Sequence, residues 1–449
     1  MLSECERTRH ALDDKTKDLS MQETNNIAKP EQYRALGLST FAFTICFAVW
    51  TIFSIIGISI KEELGLSDTQ FGLLVGAPVL TGSISRIFLG IWSEQFGGRI
   101  IFPLQMLVTA ISVWLLTSVQ TYEIFLIAAL GLGLAGGSFI IGVSYVSRWF
   151  PEGQQGTALG IFGAGNVGAA ITNFVAPFLV VAFGWEDTAR FYAVILVITA
   201  ILFYVFAKTD PVHEQKKQSG SAGVSLVQQL APLKNHQVWR FAIYYFFVFG
   251  GFVALASFLP RYYVGAQGLE LTIAGVLAGL YSLPGSIFRA LGGWMSDRFG
   301  ARSVIYFAFT VSLIVLLVMS LPGGSFFITG IKGIIEVNIN ISLTFFVTLT
   351  IILGFVMSLG SAAVFKHITT YYPKHVGAVG GLVGMIGGLG GFFLPIGFGF
   401  LLDLTGIWTA PFMLLFMLVA ISTIWMQIAI YRMQNRQEGA QALQSFQSS

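Results

Sequence analysis

The sequence predicts an all-α integral membrane protein, with twelve transmembrane helices in two pseudo-symmetric six-helix halves. Three observations predict it. The first is composition: of 449 residues, 55% are hydrophobic and 10% charged, and the mean hydropathy is +0.76. A soluble domain carries about 25% charged residues, so this chain has too few to solvate a surface. The second is a series of twelve apolar runs, each close to the ~20 residues a helix needs to cross the hydrocarbon. The third is an internal repeat. Gly82 to Arg99 and Gly285 to Arg302 align without a gap at an offset of 203 residues. Arg86 falls on Arg289, Gly90 on Gly293, Glu94 on Asp297 and Arg99 on Arg302. A repeat that long, with no gap, says that the chain is two related halves.

The predicted spans are roughly 35–60, 70–93, 99–119, 123–149, 156–183, 189–207, 237–260, 272–294, 302–321, 341–365, 376–402 and 408–431. They divide the chain into a cytoplasmic N-terminal tail (1–34), an N-terminal half (35–207), a cytoplasmic central loop (208–236), a C-terminal half (237–432) and a cytoplasmic C-terminal tail (433–449). The N-terminal tail mixes acids and bases and lacks the basic-then-apolar order of a cleavable signal peptide. Cys5 lies in that tail and Cys46 in an apolar run, so no disulfide framework is implied. A stretch from Pro322 to Asn340 lengthens the connection between spans nine and ten.

Orientation follows from the bases. Lys208, Lys216, Lys217, Lys234 and Arg240 flank the central loop, and Arg99, Arg148, Arg298, Arg302, Lys374, Arg432 and Arg436 fall on the same side. The opposite side has Lys61, Arg190, Arg261 and Lys332. The positive-inside rule then places both termini in the cytoplasm of a multi-pass protein of the cell's inner or plasma membrane. Lipid is one partner, and nothing calls for nucleic acid.

Glycine is abundant, at 51 residues, and clustered at 131–137, 156–168 and 377–391. Gly156, Gly160 and Gly163 map onto Gly377, Gly381 and Gly384 at an offset of 221. Small residues at helical spacing let helix backbones touch, so these faces are read first as packing surfaces. Smooth faces of this kind also suit halves that rock against one another.

The chemistry concentrates in two arginines. Arg86 and Arg289 each sit near the middle of an apolar span, where an arginine costs at least about 2.5 kcal/mol. No Asp or Glu lies in the apolar body of any predicted span. The partner these charges call for is an anion that comes and goes. Guanidinium is planar, permanently charged and forked, and suits a small planar oxyanion better than lysine would. Asn166, inside a glycine run, offers an amide to the same anion. Phe47, Trp50, Phe139, Tyr245 and Phe249 are candidate walls, each of which taken alone fits a lipid-facing or core role as well.

Glu94, Asp297, Arg99, Arg298 and Arg302 form a charged set at the cytoplasmic ends of the repeated spans, with Gly90 and Gly293 beside it. It reads equally as a conformational latch and as helix-end solvation. Lys366 and His367 end span ten. Lys366 belongs to the positive loop set, or lies just inside the pathway and takes part in coupling. No nucleotide-binding loop, nucleophile or metal-ligating set is present, so no cofactor, metal or enzymatic activity is implied. His10, His213, His236, His367 and His375 fall in tails or loops.

Gly90 to Arg99 and Gly293 to Arg302 resemble the cytoplasmic loop motif of the major facilitator superfamily. The first copy departs from it, with Glu94 where Asp is usual and Gln95 where a base is usual. Ala135 to Pro151, running into Gly156 to Gly168, resembles the first signature of the nitrate/nitrite porter family, and Gly377 to Gly391 the second. The resemblance covers about 35–432. It implies the major facilitator fold and a transporter of nitrate and nitrite, and the expected state is a monomer. It also implies an anion clamp at Arg86 and Arg289, a pocket lined by Phe47, Phe139, Tyr245 and Phe249, and a pocket amide at Asn166. Ser147 to Gly156, together with Ala363-Val-Phe-Lys366, is more similar to the branch of proton-coupled importers than to the nitrate/nitrite antiporters. A transporter of another small anion, such as an organophosphate, is the other reading. A nitrate receptor would be expected to carry a signalling domain, which neither the short C-terminal tail nor the central loop could hold.

Overall fold

The computed structural model describes residues 29–118, 121–210, 234–331, 333–372 and 376–447. Ten of its helices are long and apolar enough to cross a membrane, eleven when the bent pair Leu271–Ile287 and Arg289–Phe299 counts as one span. One of the ten, Thr157–Phe206, has 50 residues, about 75 Å of helix against a hydrocarbon core of about 30 Å. It turns at Gly184, where φ is 84° and ψ 167°, and so provides spans five and six. The total accords with twelve.

The repeat is written into the backbone. Span three runs Gly98–Leu116 and span nine Ala301–Met319, each 19 residues long. Both begin and end at the offset of 203 that relates the two sequence copies. Each is preceded by a glycine in the left-handed half of the backbone map, Gly97 (φ 84°, ψ 143°) and Gly300 (φ 84°, ψ 135°). A side chain would be strained there, which is why the motif keeps glycine at that turn.

The chain forms two compact units. One takes in Met1–Leu66, Leu73–Gln228 and Leu269–Gly279, the other Ser67–Gly72, Gln229–Gly268 and Leu280–Ser449. The first turns of spans two and eight thus belong with the unit opposite to the rest of their helices. In the first unit, Gly275 and Gly279 lie against Pro177 and Phe174 of span five, so closely that an added Cβ would come within 2.5 Å of each. In the second, the carboxylate of Asp403 accepts the backbone N–H groups of Asp68 (2.9 Å) and Thr69 (2.7 Å), capping the start of span two. Gly399 packs on the Asp68 carbonyl, and Arg261 pairs with the Asp68 carboxylate at 3.3 Å.

Several spans are broken along their length. Span one pauses between Lys29–Trp50 and Phe53–Leu64. Span four tightens to a 3₁₀ turn at Gly133–Gly137, and span five at Ala164–Val167. Span seven widens to a π-turn at Phe246–Gly251. Span eight bends by 41° beside Phe288, and span eleven is interrupted between Val376–Gly388 and Gly390–Thr405. Such irregularities inside a membrane span are tolerated where the freed backbone is buried in protein or lines a cavity.

Some boundaries differ from the sequence expectation. Helix begins at Lys29 rather than near 35, because the polar segment Lys29–Arg34 continues the helical turn into span one. Span ten continues to Tyr371, so Lys366 and His367 lie within a helix and not at its end. His367 stacks on Phe241 with ring centroids 5.5 Å apart, and His236 opens the helix of span seven, so neither is a loop residue. The connection from Pro322 to Asn340 contains a hairpin of two antiparallel strands, β1 (Gly324–Gly330) and β2 (Gly333–Ile339). Glycine packing accounts for most of the clustered glycines, but Gly160, Gly163 and Gly381 face open space.

Candidate functional site

In the first unit, the surroundings of Arg86 are built by three close-packed spans. Trp50 of span one donates its indole N–H to the carbonyl of Pro78 (2.9 Å), a residue inside span two. Gly82 of span two and Gly136 of span four close on the same indole, and a Cβ on either would lie 2.7 Å from it. Only a side chain of hydrogen size fits both positions. Arg86 follows Gly82 by one helical turn, and Phe139 follows Gly136 by nearly one. The guanidinium of Arg86 accordingly lies 5.8 Å from the Phe139 ring, within cation–π range, and its Nε donates to the Gly136 carbonyl at 3.4 Å. That carbonyl belongs to the 3₁₀ turn of span four.

The aromatic wall continues into span one. Phe43 stacks against Phe162 (4.8 Å), lies tilted to Phe139 (5.5 Å) and edge-on to Phe47 (5.7 Å), and Phe47 meets Trp50 at 5.2 Å. Asn166 is buried in the 3₁₀ turn of span five.

The second unit repeats this plan with different chemistry. Arg289 is the first residue of its helix after the bend in span eight. Its Nη2 donates to the Tyr245 hydroxyl at 2.5 Å. The same guanidinium lies 5.9 Å from the Tyr245 ring and 5.4 Å from Phe249. Those two rings are parallel to within 9°, 5.0 Å apart, and Phe249 lies in the π-turn that begins at Phe246. Gly387 of span eleven backs onto Tyr245, and Gly285 onto Phe252; an added Cβ would meet them at 2.4 and 2.0 Å.

The two boxes are related by sequence. Phe43, Phe47 and Trp50 map onto Tyr245, Phe249 and Phe252 at an offset of 202. Gly82 packs on Trp50 as Gly285 packs on Phe252. Phe43 is therefore the counterpart of Tyr245, and the sequence reading missed it. The 202 spacing could have found it.

The charged motif is less uniform. Asp297 pairs with Lys366 of span ten at 2.5 Å, with both side chains substantially exposed. This places Lys366 with the repeated motif. Arg99 lies over the Tyr204 ring at 5.6 Å, and Arg298 over Trp294 and Phe299. Arg302 is half-buried. The side chain of Glu94, and the surroundings of Gly156 and Gly377, lie outside what the structure describes. Gly90 approaches Ile140, whereas Gly293 has open space around it. Among the described residues no cluster of His, Cys, Asp or Glu could hold a metal ion.

The profile of the Major Facilitator Superfamily matches residues 38–343. A protein of Thermus thermophilus described as a probable nitrate/nitrite antiporter, NarK1, is 40% identical over 90% of this chain and 93% of its own length. The chain belongs to the Major Facilitator Superfamily, and within it to the nitrate/nitrite porters. A nitrite extrusion protein of Bacillus subtilis is 30% identical, covering 86% of this chain and 91% of itself. A probable nitrate transporter of Staphylococcus epidermidis, NarT, is 29% identical, over 83% and 89%. Among solved structures, a nucleoside transporter superposes with a TM-score of 0.68 at 13% identity, over 88% of this chain and 99% of that one. A bacterial homologue of the human lysosomal transporter Spinster gives 0.64 at 16% identity, over 91% and 98%. At such identities these structures speak for the fold alone.

Proposed function

We propose that this protein is a secondary active transporter that carries nitrate, and with it nitrite, across the bacterial plasma membrane by alternating access. The observation that carries the proposal is the repeated constellation. In each unit an arginine at the same repeat position stands half-buried against aromatic rings, beside helices whose regular hydrogen bonding is interrupted. Half-helix ends and unwound backbone at membrane depth are how transporters of this architecture build substrate sites. A planar, permanently charged fork in each half fits a small planar oxyanion, and the relatives named for nitrate and nitrite supply the substrate class. Both termini are cytoplasmic in this reading, and a single chain carries both arginines, so a monomer suffices.

The importer-like motifs support proton-coupled uptake. Importing an anion against an inside-negative potential costs about 2.3 kcal/mol per 100 mV, and one accompanying proton cancels that charge. The second reading is exchange of nitrate for nitrite. It is favoured by the relative described as an antiporter and by the pairing of Lys366 with Asp297, which draws that lysine to the motif. Swapping two monovalent anions is electroneutral without a proton.

The test is uptake of labelled nitrate into liposomes of purified protein with three interiors: empty, nitrite-loaded, and empty under an inward proton gradient. Symport predicts accumulation in the third. Accumulation confined to nitrite-loaded vesicles establishes exchange instead. No nitrate uptake in any of the three overturns the substrate assignment and points to a larger anion such as an organophosphate.

A further inference from the structure

The hairpin between spans nine and ten belongs to neither arginine box, and its side chains are sorted by face. Strand residues alternate sides, so the pairs Phe326–Val337 and Ile328–Ile335 share one face, together with Ile339. That face is wholly apolar. The opposite face holds Ser325–Asn338, Phe327–Glu336 and Thr329–Ile334, and so every polar side chain of the two strands. Ser325 and Asn338 are bonded across the strands there at 3.1 Å. The apolar face is uncovered: Phe326 and Val337 are 38% and 37% exposed, and Ile328 and Ile335 are 54% and 56% exposed. Ile331 at the tip is fully exposed.

An isolated two-stranded hairpin is at best marginally stable in water and needs a surface to pack on. Its place in the chain selects that surface. β1 starts five residues after span nine ends at Met319, and β2 ends four residues before span ten begins at Leu343. Both roots are therefore tied to helix ends at the edge of the bilayer. The exposed side of span nine carries Ile314 and Leu317, and the connection that follows it carries the exposed Leu321.

We infer that the β1–β2 hairpin is a monotopic membrane anchor, whose Phe326, Ile328, Ile335, Val337 and Ile339 face dips into the headgroup–acyl boundary of the adjoining leaflet. Ser325, Thr329, Glu336 and Asn338 stay on the wet side. Seven strand residues at about 3.3 Å each give a blade about 23 Å long, long enough to lie along the interface. An amphipathic element with one apolar face binds a membrane by burying that face in this layer.

The test uses the full-length protein in lipid nanodiscs, with Cys5→Ser and Cys46→Ala removing the native thiols. An environment-sensitive fluorophore is attached at Ile328→Cys or, separately, at Thr329→Cys. The expected result is blue-shifted emission at position 328 that nitroxide-labelled acyl chains quench several-fold more than emission at 329. Equal, water-like and unquenched emission at both positions overturns the inference. A dry position 328 that lipid nitroxides leave unquenched, and that varies with the number of chains per disc, assigns the face to a second copy and also overturns it. Should labelled variants fail to fold, the unmodified chain is photolabelled with diazirine-bearing lipids. Adducts on Phe326, Ile328 and Ile335 are then expected, and their absence beside labelled Ile314 and Leu317 overturns the inference.

Discussion

The boxes around Arg86 and Arg289 are copies of one design that have diverged at a single kind of contact. Each has a glycine one turn before the arginine, seated on a ring of the first helix of its half: Gly82 on Trp50, Gly285 on Phe252. Each has aromatic residues at the same spacing. Yet Arg86 donates to a backbone carbonyl and lies over the single ring of Phe139, whereas Arg289 donates to a phenolic hydroxyl and lies over two stacked rings. The Tyr245 oxygen that Arg289 engages is also an O–H donor. It can turn that proton toward an anion, which Phe43 at the corresponding position cannot. Symmetry gives each box its arginine, and the departure from symmetry lies in the partner that arginine holds, a backbone carbonyl in one and a phenol in the other.

Removing either charge should have the largest effect. Hydrogen bonds to charged groups contribute about 1.5–3 kcal/mol each, so losing a two-pronged contact in Arg86→Ala or Arg289→Ala should cut nitrate uptake at least ~100-fold. Near-normal uptake by either variant would sink the clamp. Lysine substitution sharpens the comparison. It keeps the charge and loses the fork, for about a tenfold loss. Arg289→Lys should lose about fivefold more than Arg86→Lys, because the bond to Tyr245 is disturbed as well. Equal losses would mean that the asymmetry of the boxes has no part in binding.

Tyr245→Phe makes the second box chemically like the first. The KM for nitrate should rise about five- to tenfold, for one hydrogen bond of about 1 kcal/mol, with the melting temperature little changed. The reciprocal change, Phe43→Tyr, places a hydroxyl where 1% of the residue is exposed and Phe47, Phe139 and Phe162 surround the ring. An unsatisfied buried hydroxyl costs about 1–3 kcal/mol, so thermal unfolding should come earlier with no gain in affinity. A gain in affinity would show that the first box has room for a donor.

The sequence made the scaffold legible because its signals are compositional. Apolar runs near 20 residues mark spans, and an ungapped repeat marks the halves. Arg86 and Arg289 stand out because charge in an apolar run is costly. The breaks in spans one, four, five, seven, eight and eleven left little trace. A π-turn at Phe246–Gly251 and a 3₁₀ turn at Gly133–Gly137 use the same apolar and small residues as the regular turns around them, and hydropathy has no term for the hydrogen-bond register. Phe43 was hidden for a related reason: among 41 phenylalanines, its role rests on a spacing to another half and not on its own type. The hairpin was missed because its strands mix apolar and polar residues over only seven positions each, too short a pattern to stand out beside the spans.

The smallest expected difference lies at the other end of the repeat. Gly90 and Gly293 occupy equivalent positions, but a Cβ on Gly90 would lie 3.3 Å from Ile140, and one on Gly293 would meet nothing within 4 Å. Alanine favours helix over glycine by about 1 kcal/mol. Gly293→Ala should therefore raise the melting temperature slightly or leave it unchanged. Gly90→Ala should gain less or lose a little, since Ile140 must shift by a few tenths of an ångström. The contrast matters more than either value. If Gly293→Ala is thermally neutral yet slows transport, the open space beside Gly293 is filled at some other point of the cycle. If it is neutral in both assays, the glycine there is a relic of the repeat. If Gly293→Ala is the more destabilising of the pair, the difference between the two motif ends is not the one described.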